Sequence, residues 1–328
     1  MIYRLLNNNS SYHFIALPIL TLVLWIGVFV NPVEHQSAID VVHMMPLYQP
    51  FYLLMQWSMT AANILTMLLT LATAFMIVQM NHRFLFLEQK TFLPGYLYVI
   101  IVGGLASLHY LSALYIVNIF GVLALTGIFK SEKSESLYAN IFNMGLIFGL
   151  ASLVYFNIIF LFPLVWIVFH FIHRGLEWRH LILPILGLIL PWFYAFTYYS
   201  FANHTSLFFD IIKVNFLIPE YHSLDDKYTL MYVGFLAMLM FLTGISLIKS
   251  LEKKGSTHRY FFQTFLAIII MSILIILLVP SASKEVVLLV ANPIACILAN
   301  YCIVIERKLW SSVLIYSLIF MVVYLQFV

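Results

Sequence analysis

The stretch YFFQTFLAIIIMSILIILLV, residues 260–279, decides the fold class. It carries no charged side chain, and its length matches the roughly 20 apolar residues that an α-helix needs to cross the hydrocarbon core of a bilayer. Arg259 stands directly before it, so the charge-free run has a clear beginning. The sequence therefore predicts a transmembrane helix at this position.

The composition of the whole chain agrees with that prediction. Of 328 residues, 63% are hydrophobic and 9% are charged, and the mean hydropathy is +1.01. Soluble domains have about 25% charged residues. These values exclude a soluble domain, a disordered chain, a nucleic-acid-binding protein with a basic face and a disulfide-stapled secreted domain. The two cysteines, Cys296 and Cys302, lack the paired spacing of a zinc site and are interpreted as small packing residues.

Further apolar runs predict the other membrane spans. Two runs, residues 94–129 and 137–172, are each about twice the length of one span, and we expect each to form a short helical hairpin. The predicted turns are near His109 and Asn157, the polar points close to each midpoint; a single long helix is the alternative for either run. The single spans are predicted at residues 14–30, 51–78, 181–200, 228–248, 260–279, 286–305 and 309–327. The prediction is an all-α polytopic membrane protein of about eleven helices, forming one integral membrane domain over residues 1–328 without a soluble domain.

Basic residues predict the orientation of these spans. If the amino terminus lies inside, only three of the sixteen basic residues, Lys213, Lys227 and Lys284, fall on the outer side. Cytoplasmic loops are enriched in Lys and Arg, so this asymmetry favours an inside amino terminus. All acidic residues fall in predicted loops, with Glu285 assigned to an outer one. The lack of a carboxylate inside a predicted helix argues against an ion-driven carrier, although a carrier that uses broken-helix carbonyls stays open.

The first outer loop, residues 31–50, contains candidate catalytic residues. Glu34 and Asp40 could act as a general base, and His35 and His43 could join them in binding a divalent metal ion. Asp40 and His43 have the spacing of neighbours on one helical face. The alternative interpretation is that these polar side chains are simply solvated in a loop.

The second outer loop, residues 201–227, contains an amphipathic pattern. Polar residues recur on one helical face and large apolar residues fill the other, which predicts an interfacial helix at the outer surface. A polar cluster that includes His222 follows this helix. We expect Lys213, Asp210 and His222 to bind a lipid-linked substrate or its phosphate. The alternative is a structural belt that seals the outer surface.

The predicted inner loop near residue 176 contains two arginines, Arg174 and Arg179, beside Trp178. Guanidinium groups suit phosphate oxygens, so this loop is a candidate contact for a lipid phosphate. The positive-inside rule and the aromatic belt explain the same residues without a ligand.

Small residues recur inside the two predicted hairpins. Their spacing lets helices approach closely, and we interpret them as packing seams. The residues are Gly103, Gly104 and Ser107 in the first hairpin and Gly145, Gly149 and Ser152 in the second.

A series of motifs in the middle of the chain resembles a known enzyme family. NMGLIFGLASLVY at residues 143–155 precedes an apolar span ending at Trp166, a basic loop with Trp178, and LGLILPW at residues 186–192. Over about residues 140–220 this order is similar to the middle of the membrane-embedded C-superfamily glycosyltransferases, in their protein mannosyltransferase and aminoarabinose transferase branches. The chain also resembles small bacterial inner-membrane proteins without an assigned activity.

The glycosyltransferase resemblance implies an outward-facing site in the bacterial inner membrane. It would take a sugar from a polyprenyl-phosphate carrier, with a carboxylate of the first outer loop as base or metal ligand. Glu34 and Asp40 are the only carboxylates there, and Lys213 would meet the carrier phosphate. The first outer loop is shorter than is usual in these enzymes.

Two other functions remain open on sequence grounds. The chain could be a non-enzymatic subunit of an envelope assembly or secretion complex, whose short loops and small-residue seams serve partner helices. A lipid or solute transporter is the third hypothesis.

Overall fold

The computed structural model describes residues 10–30, 39–104, 109–131, 137–172, 177–217, 227–251, 256–279, 284–305 and 308–327. Within these ranges the chain is helical and contains no β-strand. Nine of the described helices are long and apolar enough to span a membrane, and shorter apolar helices accompany them. The predicted all-α polytopic membrane fold is confirmed.

Thirteen α-helices make up the described part of the chain. They are α1 His13–Val30, α2 Gln49–Trp57, α3 Met59–Phe84, α4 Leu93–Gly103, α5 Ala113–Ser131, α6 Leu137–Val154, α7 Pro163–Ile172, α8 Trp178–Phe201, α9 Thr205–Leu217, α10 Lys227–Leu251, α11 Ser256–Leu278, α12 Val287–Val304 and α13 Lys308–Phe327. Short 3-10 helices lie at Val41–His43, Phe156–Leu161 and Lys284–Val286.

Both long apolar runs are divided into two helices at the predicted turns. Helix α4 ends before His109 and α5 begins after it, while the 3-10 helix Phe156–Leu161 breaks the second run at Asn157. The single-long-helix alternative is therefore wrong for both runs. The end of α13 lies beside the second half of α1, since Gln326 donates to the Leu24 carbonyl at 3.1 Å. We call the end of the bundle where α1 finishes and α3 begins the outer end, following the orientation predicted from the basic residues.

The predicted span over residues 51–78 is wrong in one respect, because it is two helices. Helix α2 ends at Trp57, and Ser58 adopts an extended backbone conformation before α3 begins. The Ser58 hydroxyl accepts a hydrogen bond from the Ala61 amide at 3.3 Å, as an N-cap residue does. The continuous apolar composition hid this break, and α2 belongs to the outer surface structure instead of a span.

The centre of the bundle is formed by α4 and α12, which pack against each other. Every residue of α4 is buried, and most of α12 is buried too. A helix that is apolar on all sides belongs in an interior position. Helix α4 is only about 16 Å long at 1.5 Å per residue, so it covers about half of a hydrocarbon core of about 30 Å.

Buried threonines of α3 satisfy their hydroxyls within the helix. Thr66, Thr70 and Thr73 donate to the carbonyls of Ala62, Thr66 and Leu69 at 2.8–3.0 Å. A hydroxyl in a membrane needs an internal partner, because the hydrocarbon core holds no water to supply one. This polar stripe is therefore compatible with a membrane span and needs no bound ligand.

Helices α6 and α8 touch along a seam of glycines. A Cβ atom built on Gly145 would lie 2.0 Å from the Pro184 carbonyl oxygen, and one on Gly187 would lie 2.2 Å from the Phe142 carbonyl oxygen. The backbones are in direct contact, as the small residues of the second hairpin predicted. At the outer end of the seam the Trp192 indole N–H donates to the Ser152 hydroxyl at 2.8 Å. Ser107 of the first predicted seam lies outside the described residues.

Helix α8 lies at the edge of the bundle. Its buried residues are His180, Pro184, Gly187 and Pro191, which recur every three or four positions and form one narrow stripe. The rest of its surface exposes large apolar side chains, including Phe193, Tyr194 and Tyr198. This helix therefore presents a broad face to the bilayer and leaves a groove beside α6.

Candidate functional site

The predicted interfacial helix of the second outer loop is present as α9. Its buried side chains are Phe208 and Ile211, one turn apart. The Phe208 ring packs against the rings of Phe196 and Tyr199 of α8, with centroid distances of 5.5 and 5.8 Å. These contacts hold α9 against the outer part of α8 and turn its polar face outward.

The two outer loops meet at Asn215. Its side-chain amide donates to the His43 carbonyl at 2.8 Å and to the Ile211 carbonyl, one turn earlier in α9, at 2.8 Å. Met45 of the first loop lies in one apolar cluster with Ile211 and Leu153 of α6. The sequence analysis did not identify Asn215 as a contact between the loops.

The convergence brings two candidate residues of the first loop next to α9. Asp40 is exposed and precedes the 3-10 helix Val41–His43, and its carboxylate does not cap that helix. His43 is half-buried at the end of the same 3-10 helix. The other two candidates, Glu34 and His35, lie outside the described residues. The described part of the chain contains no group of three His, Cys, Asp or Glu residues that could hold a metal ion.

Two of the three candidate residues of the second loop are also among the described residues, and the third is not. Asp210 and Lys213 are both exposed on α9, three residues apart and on the opposite side from its buried face. Their side chains are therefore available to a ligand at the outer surface. His222 lies outside the described residues.

A groove of about 1320 Å³, counted with its open side, lies beneath this junction between α2, α6 and α8. Pro46 and Leu47, which follow the Asp40–His43 segment, form part of its wall, and the Leu47 amide donates to the Leu153 carbonyl at 3.1 Å. Its lining is apolar except for one amide and three phenols. These polar side chains are Gln49, Tyr194, Tyr198 and Tyr199.

The arginines of the predicted inner loop belong to the opposite end of the bundle. Arg179 stands at the start of α8, whereas α9 follows its end, and the 24 residues of α8 separate the two by roughly 36 Å. The exposed Arg179 guanidinium lies over the rings of Trp178 and Tyr138, at 5.5 and 5.8 Å from their centroids. Arg174 is outside the described residues. Arg179 therefore cannot share a site with Lys213.

One buried carboxylate was missed by sequence reasoning. Glu285 was assigned to an outer loop, but its residue is only 7% exposed. It lies in the 3-10 helix Lys284–Val286, and the hydroxyls of Tyr110 and Ser112 donate to its two carboxylate oxygens. Glu285 lies between α11 and α12, outside both spans as expected, but its side chain is buried. Glu285 ties the turn of the first hairpin to the start of α12.

Replacing Asn215 with alanine should loosen the junction of the outer loops. The substitution removes the hydrogen bond to the His43 carbonyl, so the Asp40–Tyr48 segment should open more often. We expect amide hydrogen exchange of this segment to accelerate by about tenfold, the factor for one lost hydrogen bond of typical strength. Ser206→Ala, on the exposed side of the same helix, is the matched control. Equal exchange in both variants would contradict the role given to Asn215.

Comparisons with known proteins identify a family without a known activity. Residues 39–328 match the model of a family described as "Family of unknown function (DUF6427)". No curated protein and no solved structure matches the chain. The matched region includes the Asp40–His43 segment, the groove and α9, but not Glu34 or His35.

Proposed function

We propose that this chain, which belongs to the DUF6427 family of unknown function, is a membrane glycosyltransferase that uses a polyprenyl-phosphate-linked sugar. Its site would be at the outer end of the bundle, where the 3-10 helix that follows Asp40 contacts α9. The proposed location is the bacterial inner membrane, with the outer end facing away from the cytoplasm.

One observation carries this proposal: the two outer loops meet at the mouth of an apolar groove. A polyprenyl phosphate has a long apolar tail and an anionic head, so its binding site needs an apolar surface continuous with the bilayer and a cation at headgroup level. The groove of α2, α6 and α8 would supply the first, and Lys213, which is exposed on α9, would supply the second. Tyr198 and Tyr199 stand in the groove wall just before α9, and tyrosine is common at the boundary between lipid and water.

The proposed reaction assigns a role to each charged group. An acceptor hydroxyl attacks the anomeric carbon of the sugar while Asp40, or Glu34, takes its proton. The bond between the anomeric carbon and the phosphate oxygen breaks, and the polyprenyl phosphate leaves with the negative charge. Lys213 would stabilise that charge, and Asp210 and His222 would bind the polar part of the substrate. The His43 imidazole would either orient the acceptor or join a divalent metal ion with Asp40, Glu34 and His35.

Paired carboxylate variants test this function. In a strain that depends on the protein, Asp40→Asn combined with Glu34→Gln should abolish the dependent surface glycan, because the proton acceptor is lost. Glu88→Gln makes the same chemical change on an exposed residue at the opposite end of the bundle and should leave the glycan intact. Unchanged glycan in the double variant, with normal protein levels, would refute the assignment.

The same strain distinguishes the enzyme from an assembly subunit. A tagged copy is extracted gently from native membranes, and the proteins and lipids that accompany it are identified by mass spectrometry. A transferase should come out alone with polyprenyl-phosphate species. A constant set of partner proteins without this lipid would overturn the proposal in favour of a non-enzymatic subunit.

A further inference from the structure

A second cavity, open on one side, lies between the helices and is separate from the outer groove. It measures about 640 Å³, counted with its open side, between α5, α6, α11 and α12. Helix α6 separates the two spaces, since Leu146 and Leu150 line the groove while Ile147 and Ala151 line the cavity. Small-molecule sites are mostly apolar with a few polar groups. The cavity has this kind of lining and shares no lining residue with the groove of the proposed transferase site.

Two carboxamides line this cavity, Asn118 of α5 and Asn292 of α12, and each is only 3% exposed. The Asn118 amide group donates to the Leu288 carbonyl at 3.1 Å and to the Tyr98 hydroxyl at 3.5 Å, which leaves its Oδ1 without a donor among the described residues. The Asn292 Oδ1 accepts only a long contact from the Cys296 thiol, at 3.8 Å. The Asn292 Nδ2 has no acceptor within the described part of the chain.

The unused donor, Asn292 Nδ2, and the unused acceptor, Asn118 Oδ1, lie close together. Asn118 is hydrogen-bonded to the Leu288 carbonyl, and Leu288 precedes Asn292 by one turn of α12. Residues one turn apart on a helix have Cβ atoms about 5–6 Å from each other. A single small group inside the cavity can therefore reach both carboxamides.

Pro293 adds another acceptor on the same wall. Proline has no backbone N–H, so the carbonyl four residues earlier, that of Leu289, lacks its usual helical donor. Leu289 lines the cavity together with Asn292 and Pro293. Unpaired polar groups are costly in a membrane, where no water satisfies them. The polar side of the cavity therefore calls for a partner that both donates and accepts hydrogen bonds.

We propose that this cavity binds an uncharged lipid alcohol, a molecule with a hydrocarbon chain and a hydroxyl group. The hydroxyl accepts from the Asn292 Nδ2 and donates to the Asn118 Oδ1, and the chain lies against the aliphatic lining. None of the described residues that line the cavity is charged, so a phosphate or carboxylate head would be desolvated without a counter-ion. This site is independent of the glycosyl transfer proposed above.

Gly121 offers a way to fill the cavity without disturbing the fold. It lines the cavity, and a Cβ atom built on it meets no atom within 4 Å. A leucine there should project into the empty space and displace a ligand. Gly244 of α10 also has nothing within 4 Å of a built Cβ but does not line the cavity, so Gly244→Leu is the matched control.

The test is photolabelling of the purified full chain with hexadecanol that carries a diazirine in its chain. We expect labels on peptides of α5 and α12, about tenfold less labelling in Gly121→Leu, and unchanged labelling in Gly244→Leu. Equal labelling in both glycine variants, or labels confined to the α6 and α8 groove, would overturn the proposal.

A second comparison tests the hydroxyl and remains decisive if Gly121→Leu does not fold. Unlabelled hexadecanol should compete about tenfold better than its methyl ether, which cannot donate a hydrogen bond. Asn118→Leu should abolish this preference, because it removes the acceptor. Palmitate should compete poorly, since its carboxylate is charged. Equal competition by all three compounds against the native protein would overturn the assignment of a lipid alcohol.

Discussion

Gly145→Ala is expected to destabilise the protein by about 3 kcal/mol, the upper part of the range for overpacked interiors. Alanine is the better helix former by about 1 kcal/mol, so helix propensity alone predicts the opposite sign. The added Cβ would lie 2.0 Å from the Pro184 carbonyl oxygen and 2.8 Å from the Pro184 Cα. Both are backbone atoms that cannot rotate away, so α6 and α8 must separate along their shared seam.

The measurement is the midpoint of thermal unfolding in detergent, compared with Gly244→Ala. A Cβ on Gly244 meets nothing within 4 Å, so that variant should be neutral or slightly more stable. Because separation of α6 and α8 would also widen the groove, Gly145→Ala should change the reactivity of a cysteine introduced at Leu150, which lines the groove. Equal midpoints for both glycine variants would show that the seam does not hold α8 in place.

Most of the fold could be predicted from apolar run length and basic residues alone. The boundaries of α1, α8 and α13 agree with the predicted spans to within a few residues, because a bilayer imposes a fixed length on any helix that crosses it. The break at Ser58 could not be predicted from hydropathy, since residues on both sides are apolar. A serine before an apolar run is an N-cap signal, and it could have located the start of α3.

The separate segments of the candidate site could be predicted from sequence, but the contact between them could not. The polar face of α9, with Asp210 and Lys213, follows from helical spacing within one segment. The junction of this helix with the first loop depends on Asn215 and the His43 carbonyl, which are 172 positions apart in sequence. A backbone acceptor has no sequence signature, so no pattern could have paired them. The cavity could not be predicted from sequence either. Its two carboxamides, Asn118 and Asn292, look like ordinary polar residues of separate spans.

Glu285 shows why a loop assignment does not establish solvation. The pattern of predicted spans assigns it to an outer loop. Its actual neighbours come from the hairpin turn at Tyr110 and Ser112, and the hydroxyls there take the place of water. A buried carboxylate is stable only when such donors are present.

Glu285→Leu is expected to destabilise the protein by about 3 kcal/mol. The substitution removes the acceptor of two buried hydroxyls, and each unsatisfied buried hydroxyl costs about 1–3 kcal/mol. Tyr110 and Ser112 are only 4% and 1% exposed, so water cannot replace the carboxylate without opening the structure. The loss should appear as a lower unfolding midpoint and as faster proteolysis near the first hairpin turn.

The double variant Tyr110→Phe with Glu285→Leu separates the hydrogen bond from the loss of packing. Removing the phenol hydroxyl together with the carboxylate leaves one fewer unsatisfied group, so the double variant should be about 1–2 kcal/mol more stable than the sum of the single variants predicts. Tyr316→Phe alters a phenol that is 49% exposed and should show no coupling to Glu285→Leu. If the effects of Tyr110→Phe and Glu285→Leu on the free energy of unfolding simply add, the two side chains do not act together. The link between the first hairpin and α12 would then come from the apolar contacts of α4 with α12.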